Sequence, residues 1–252
     1  MLRRWTEQIT RDWTFRRRLP PSFGRVPIVV SPSAGLRYLA RSMEKVDPVL
    51  MGLAREWVKP GTVVWDIGAN VGLFAFAAAS LSGSAGQVVA LEPDAWLVQL
   101  LRRSAAMQPA SSAPVKVVPA AAASALALRT LCLAERSRAA NHLAEFGTIQ
   151  TGGAREEETV VAFPIDLLLD FGPPPAVVKI DVEGAELEVL QGASRLLATY
   201  RPLLICEVIP RTGPAVTELL SRLGYRIYDG ETPPQQRRPL EHAPWSTLAI
   251  PA

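Results

Sequence analysis

The stretch VVWDIGANVGLFAFAAAS (residues 63–80) decides the fold. An apolar run meets an acid, Asp66. A turn containing Gly68 and Gly72 follows, and then an alanine-rich run with the composition of a helix. A strand that ends in a glycine turn and opens a helix begins a βαβ unit, and it directs backbone N–H groups and a helix N-terminus at a ligand. Gly68 gives the backbone freedom to turn sharply there. Taken alone, the same residues describe a plain tight connection.

A second acid narrows the choice. Glu92, in LEPD, ends the next apolar run (QVVALE) 24 residues after Gly68. A carboxylate at that place accepts hydrogen bonds from ribose hydroxyls. A dinucleotide fingerprint anchored on Gly68 needs glycine at 70 and 73, where this chain has Asn70 and Leu73. Asp66 is a poor neighbour for a pyrophosphate and a good one for a cation. S-adenosylmethionine carries a sulfonium and an amino group and no phosphate, so Asp66, Gly68, Asn70, Gly72 and Glu92 are read as its binding residues.

Outward from this unit, strands and helices alternate. RVPIVVS reads as a strand and residues 47–58 as a helix, with Asp47 as N-cap and Pro48 at the first helical position. DAWLVQLLRRSAAM is a helix capped by Asp94. VKVVPA, AVVKID, RPLLICEVI, YRIYDG and WSTLAIPA read as strands; GAELEVLQGASRLLATY and GPAVTELLSRLG read as helices. ALALRTLCLAE alternates like an exposed or edge strand, and SRAANHLAEFGTIQTGGAREEE reads as loop. This order predicts an α/β, Rossmann-like fold. Its sheet is seven-stranded and mostly parallel, with helices on both faces and an antiparallel edge strand.

VVKIDVEGAELEVLQGA (residues 177–193) sets Lys179, Asp181, Glu183 and Glu186 at the end of an apolar strand. Carboxyl ends of strands face the ligand crevice in such sheets. Asp181 and Glu183 therefore point to the reactive side. Glu186 also suits the first turn of a helix, where the dipole favours acids. DIGANVG, EPD and KIDVEGAELEVLQGA together resemble the FkbM-type family of S-adenosylmethionine-dependent methyltransferases, over residues 45–251. The resemblance implies a class I methyltransferase fold and O-methylation of a hydroxyl on a natural product, a sugar or a lipid-linked glycan. FPIDLLL departs from the family's usual Thr-Leu-Asp type sequence, which leaves the role of Asp166 open.

An alcohol acceptor must lose its proton as the new bond forms, and a carboxylate or imidazole within reach can take it. Asp181, Glu183, Glu207 (at the end of LLICEV) and His142 are the candidates, with Asp181 or Glu183 preferred. Hard cations take carboxylate oxygens, so Asp181 and Glu207 admit a divalent metal, but two acids do not make a site and none is expected. The alternative function is a catalytically inactive binding or scaffold protein that keeps the fold within a biosynthetic assembly. A nucleic-acid partner is not expected: base methyltransferases often carry an Asn/Asp-Pro-Pro-aromatic run where this chain has DVEG. A net charge of +3 on 252 residues does not mark a general polyanion binder.

The basic excess is local. Arg3, Arg4, Arg11, Arg16, Arg17 and Arg18 make residues 1–44 read as a basic N-terminal arm with a short strand/helix extension. Residues 45–252 read as the methyltransferase domain. The arm is solvated or meets an anionic membrane surface or acidic partner. No apolar h-region follows the arginines, and no apolar run reaches the ~18 residues of a spanning helix. Cys132 and Cys206 form no disulfide or zinc pattern, and a cytoplasmic location is expected.

Overall fold

The computed structural model describes residues 13–40, 42–135, 137–147 and 153–252. Arg3, Arg4 and Arg11 of the expected arm lie outside the described residues. The described chain enters through an antiparallel hairpin, β1 (Phe15–Arg18) and β2 (Pro27–Val30). Arg16, Arg17 and Arg18 thus belong to a strand and not to a free arm, and Arg17 turns in to donate to the carbonyls of Tyr38 and Ala40. Then come α1 (Pro48–Trp57), β3 (Val63–Ile67), α2 (Leu73–Ser82), β4 (Gln87–Leu91), α3 (Ala95–Ala105) and β5 (Val115–Val118). Four strands are inserted next: β6 (Ala121–Ala122), β7 (Ala127–Ala134), β8 (His142–Leu143) and β9 (Ala154–Phe163). The chain ends with β10 (Val177–Ile180), α4 (Glu186–Gln191), β11 (Leu203–Glu207), α5 (Gly213–Arg222), β12 (Tyr225–Asp229) and β13 (Ser246–Pro251).

The main sheet has seven strands in the order β12-β13-β11-β10-β3-β4-β5. β11, β10, β3, β4 and β5 pair in parallel, and β13 is antiparallel to both of its neighbours. The antiparallel strand therefore sits one place in from the edge, and β12 is the edge. The long link between β12 and β13 lets the last strand slot between β11 and β12 instead of adding outside them.

Side-chain alternation divides the core in two. Val64, Val88, Val177 and Ile205 point to the face covered by α1, α2 and α3, where the β1–β2 hairpin also packs. Trp65, Val89, Val178 and Leu204 point to the face covered by α4 and α5. The caps form as the sequence indicates. Asp47 Oδ1 accepts from Leu50 N at 2.9 Å, and Asp94 Oδ1 accepts from Trp96 N at 2.8 Å and Leu97 N at 3.2 Å. Asp166 is also a structural residue, since its carboxylate accepts from the backbone N–H groups of Arg195 and Leu196. Both cysteines are free and buried. No helix among the described residues is long and apolar enough to cross a membrane.

The inserted strands form a second sheet, β6-β9-β7-β8, so residues 142–143 and 154–158 are strand where the sequence reads as loop. β9 begins with Ala-Arg-Glu-Glu-Glu, a composition depleted in strands. Antiparallel pairing with β7 along nearly its whole length imposes the extended form. This sheet carries the loop of residues 137–147 over the C-terminal ends of β3, β4 and β10.

Candidate active site

Three adjoining cavities, of about 600, 730 and 610 Å³, open along the C-terminal ends of the parallel strands. The first lies between β3, β4 and the inserted loop, against Gly68, Asn70, Glu92 and Ala120–Ala122. The second is ringed by charge: Arg37, Asp66, Lys179, Asp181, Glu183 and Glu207. The two share Asn70, Ala139, Asp181 and Glu183. The third continues past Lys179 and Glu207 toward Glu231 and Trp245.

The glycine turn does not work as the sequence suggests. Gly68 N and Ala69 N both donate to Leu91 O at 3.0 Å, and Gly72 N donates to Ala69 O at 2.8 Å. Asn70 N goes to Glu92 Oε2 at 2.7 Å and Val71 N to Asn70 Oδ1 at 2.7 Å. Every N–H group from 68 to 72 is spent inside the protein, so the turn offers no phosphate cradle. Gly68, at φ +75°, is required because a Cβ there would lie 1.9 Å from Asp181 O. The close approach is to β10's continuation, not to a ligand. Gly72 lines none of the three cavities; a Cβ there would collide with Phe76 and Leu101. It serves helix packing.

Glu92 lies at the bottom of the first cavity. It is 5% exposed, and Oε1 accepts from Asp94 N at 3.0 Å while Oε2 holds Asn70 N. Burial pushes its carboxyl up to about 7. Each oxygen keeps one lone pair for a ligand. The walls beside it, Leu91, Pro93, Ala120, Ala121 and Ala122, are small and apolar, as a flat aromatic base requires. The rim comes from the inserted loop. Arg138 and Asn141 both donate to Asp94 Oδ2, Asn141 at 2.7 Å, and Arg138 lies over the Trp96 ring.

The charged chamber follows from register. Lys179 pairs with Asp66 across β10 and β3, so both project from the same face of the sheet. Asp181 and Glu207 share that parity on β10's continuation and β11. Lys179 Nζ donates to Gly68 O at 2.8 Å and lies 3.3 Å from both Asp66 Oδ1 and Asp181 Oδ2. Asp66 is fully buried, and neither oxygen has a hydrogen-bond partner; its 3.3 Å contact with Lys179 is an ion pair only. Burial pushes the Asp66 carboxyl up and would lower the Lys179 ammonium. The ammonium faces Asp181, Asp66 and Glu207 together, which hold it charged above its ordinary value.

Glu183 sits at φ +54°, a left-handed conformation uncommon for a side chain of this size. Among the described residues none donates a hydrogen bond to its carboxylate. Burial, then Asp181 and Glu207, push it up to about 8. Burial and Asp181 likewise push Glu207 up to about 7. Glu186 is an anchor: it is buried, and its carboxylate accepts from Gly184 N at 2.7 Å. His142 lines the first cavity but not the charged chamber. Its Nδ1 donates to Ala140 O at 3.0 Å, and Gly147 packs against Nε2. The structure thus gathers Asp181, Glu183 and Glu207 about the charged chamber, and brings His142 to the first cavity, which Asp181 and Glu183 also line. Lys179, Arg37 and Asp47 complete the chamber. Their signal in the sequence was a lysine within an apolar strand, which is costly unless paired.

These raised acids bind protons in the folded state that the unfolded chain has already released. Their contribution to stability is full below about 4.5 and is lost as pH rises through 7 to 8. The melting temperature of the ligand-free protein is expected to fall over that window, less steeply in Glu183→Gln. Scanning fluorimetry across the range checks this; a rise in both proteins would refute it.

A family model for the FkbM methyltransferase domain matches residues 66–227. The chain belongs to the FkbM methyltransferase family. It is an S-adenosylmethionine-dependent methyltransferase. The hexuronic acid methyltransferase AglP of Haloferax volcanii is 26% identical over 225 residues, covering 84% of this chain and 85% of that protein. Two solved structures are similar. The FkbM methyltransferase of Methylobacillus flagellatus KT has a TM-score of 0.49 at 18% identity, over 91% of this chain and 57% of its own. The precorrin-6y C5,15-methyltransferase of Geobacter metallireducens GS-15 has a TM-score of 0.48 at 17% identity, over 85% and 90%.

The residues present fit this cofactor. Glu92 beside an apolar slot suits a nucleoside, and the unsatisfied buried oxygens of Asp66 suit an amino group. The absence of a free N–H cradle agrees with a ligand that has no phosphate. Among the described residues, no group of three His, Cys, Asp or Glu side chains is arranged as a metal site. Glu92→Ala removes the acceptor of two backbone N–H groups as well as a ligand contact. Cofactor affinity, read by calorimetry, is expected to fall about 10- to 100-fold. An unchanged value would remove Glu92 from the site.

Proposed function

We propose that the protein is an O-methyltransferase acting on a hydroxyl of a small molecule, a sugar or a glycan being the leading class. The observation that carries this reading is Glu183. It faces both the nucleoside cavity and the charged chamber, is free of hydrogen-bond donors, and has its carboxyl raised to about 8. A base poised near the working pH takes a proton most effectively. The name of the Haloferax volcanii relative, a hexuronic acid methyltransferase, supports a sugar-derived acceptor.

S-adenosylmethionine, when bound, supplies an electrophilic methyl group on a sulfonium. The chain's own residues do the rest. Glu92 and Asn70 hold the nucleoside end, and Asp66 the amino end. Asp181, fixed by Lys179, orients the acceptor hydroxyl, and Glu183 accepts its proton as the new bond forms. Glu207 completes the acidic wall behind that hydroxyl. Positioning of the two reactants contributes much of the rate.

The test is a mass-spectrometric screen of hydroxylated acceptors, glycosides included, with isotope-labelled S-adenosylmethionine. Label on an acceptor oxygen is the expected result. Transfer only to nitrogen or carbon, or tight cofactor binding with no transfer to any hydroxyl, would sink the reading.

A further inference from the structure

The third cavity is lined by none of Asp66, Gly68, Asn70 and Glu92. It lies between α1, the end of β11 and the start of β13, and opens from the charged chamber past Asp47, Lys179 and Glu207. Trp245, a large aromatic that is 50% exposed, lines it. Glu231, exposed on the link after β12, stands beside it. Ser246 adds a hydroxyl.

The charges here are one-sided. Asp47, Glu207 and Glu231 line the cavity, and Lys179 is its one cation among the described residues. That ammonium is already committed to Asp66, Asp181 and Gly68 O. Arg37 belongs to the adjoining chamber, where it lies 3.5 Å from Asp47, and Arg237 on the β12–β13 link is paired with Glu56. The buried oxygens of Asp66 behind Lys179 have no hydrogen-bond donor and add to the negative potential. An acceptor carboxylate would meet three acids and no free positive charge, and like charges brought together across an interface are strongly disfavoured. Ring hydroxyls meet the opposite situation. Carboxylates only accept hydrogen bonds, and each has several lone pairs to offer to donors. An aromatic face half open to solvent gives the apolar side of a ring a platform with little conformational entropy to lose.

We propose that this cavity is the acceptor subsite and that it selects a sugar ring carrying no carboxylate, stacked on Trp245 with its hydroxyls donating to Asp47, Glu207 and Glu231. The inference rests on the hydroxyl-transfer reading above and narrows it: uronic acids are rejected at this subsite, and the acceptor arrives through the mouth between α1 and the β12–β13 link.

The experiment compares matched probes by saturation-transfer NMR and titration: the methyl glycosides of glucose, galactose and mannose against those of the corresponding uronic acids. Each neutral glycoside that binds is expected to bind at least about tenfold more tightly than its uronic partner. Trp245→Ala is expected to weaken the neutral ligand about three- to tenfold, and Trp245→Phe to recover most of that. Glu231→Lys adds a cation at the exposed rim and is expected to narrow or reverse the preference. Equal or tighter binding of uronic glycosides by the unaltered protein would overturn the proposal. So would an unchanged affinity in Trp245→Ala, an unchanged preference in Glu231→Lys, or no binding of any glycoside. These results are independent of turnover. Failure of methyl transfer itself is read separately, from labelled cofactor and the wider hydroxyl panel.

Discussion

Glu183→Gln is expected to lower kcat by about 10²- to 10⁴-fold, the range in which a positioned general base acts. Glutamine keeps the size and one acceptor oxygen but cannot take the proton. Cofactor affinity by calorimetry should stay within about threefold, because an interaction used only in the transition state leaves ground-state binding alone. The pH profile adds a second reading. The wild-type rate should rise as pH increases through about 8, where the Glu183 carboxyl becomes a carboxylate, and the variant should lose that limb. Asp181→Asn is expected to behave differently. Asp181 is half of a shared ion pair, 3.3 Å from Lys179 Nζ, and also bounds the nucleoside cavity. Its loss should lower turnover more than affinity while disturbing both. Full activity in Glu183→Gln with an unchanged pH limb would pass the base role to Asp181 or Glu207.

Much of this arrangement was legible in the sequence, and the limits have physical causes. The alternation of apolar strands and helices gave the sheet, and capping chemistry placed the starts of α1 and α3 at Asp47 and Asp94. Glu92 was found by its spacing from the glycine turn. Its exchange of hydrogen bonds with Asn70 N and Asp94 N was not, because nothing local shows that β4 ends beside the turn. The hydrogen-bond economy of Gly68 to Gly72 was also hidden. Composition reveals that a turn is tight, not where its N–H groups go. The first half of β9 reads as loop because its three glutamates argue against a strand until β7 is available to pair with it. The Lys179–Asp66 pair depends on parallel register between strands more than a hundred residues apart, which no periodicity encodes. Arg37 and Tyr38 reach the charged chamber from the N-terminal segment, which read from sequence as an appendage. In the structure Tyr38 is buried, its hydroxyl pushed up to about 12 by that burial.

The largest effect on stability is expected from Lys179→Met. Methionine replaces the stem of the lysine at similar volume but removes the ammonium, leaving Asp66 fully buried with no cation and no hydrogen-bond donor. Breaking a buried ion pair in this way costs about 3–5 kcal/mol. For a chain of this length that lowers the melting temperature by roughly 10 °C. The bond to Gly68 O disappears as well, so the turn after β3 loses one of its ties. Two comparisons separate an uncompensated charge from lost packing. Asp66→Asn with Lys179→Met removes the stranded carboxylate and is expected to recover at least about half of the lost stability, a coupling that a double-mutant cycle measures directly. Asp181→Asn in place of Asp66→Asn should recover much less, because the Asp181 side chain is 29% exposed and water already screens it. Equal recovery from both would show the stranded charge shared by the two acids, and recovery from Asp181→Asn alone would make Asp66 a spectator. Recovery from Asp66→Asn alone would show that the lysine of KIDVEGAE is there first to keep Asp66 ionised, and that the acid ending β3 can meet a cationic ligand only because this ammonium lies beside it.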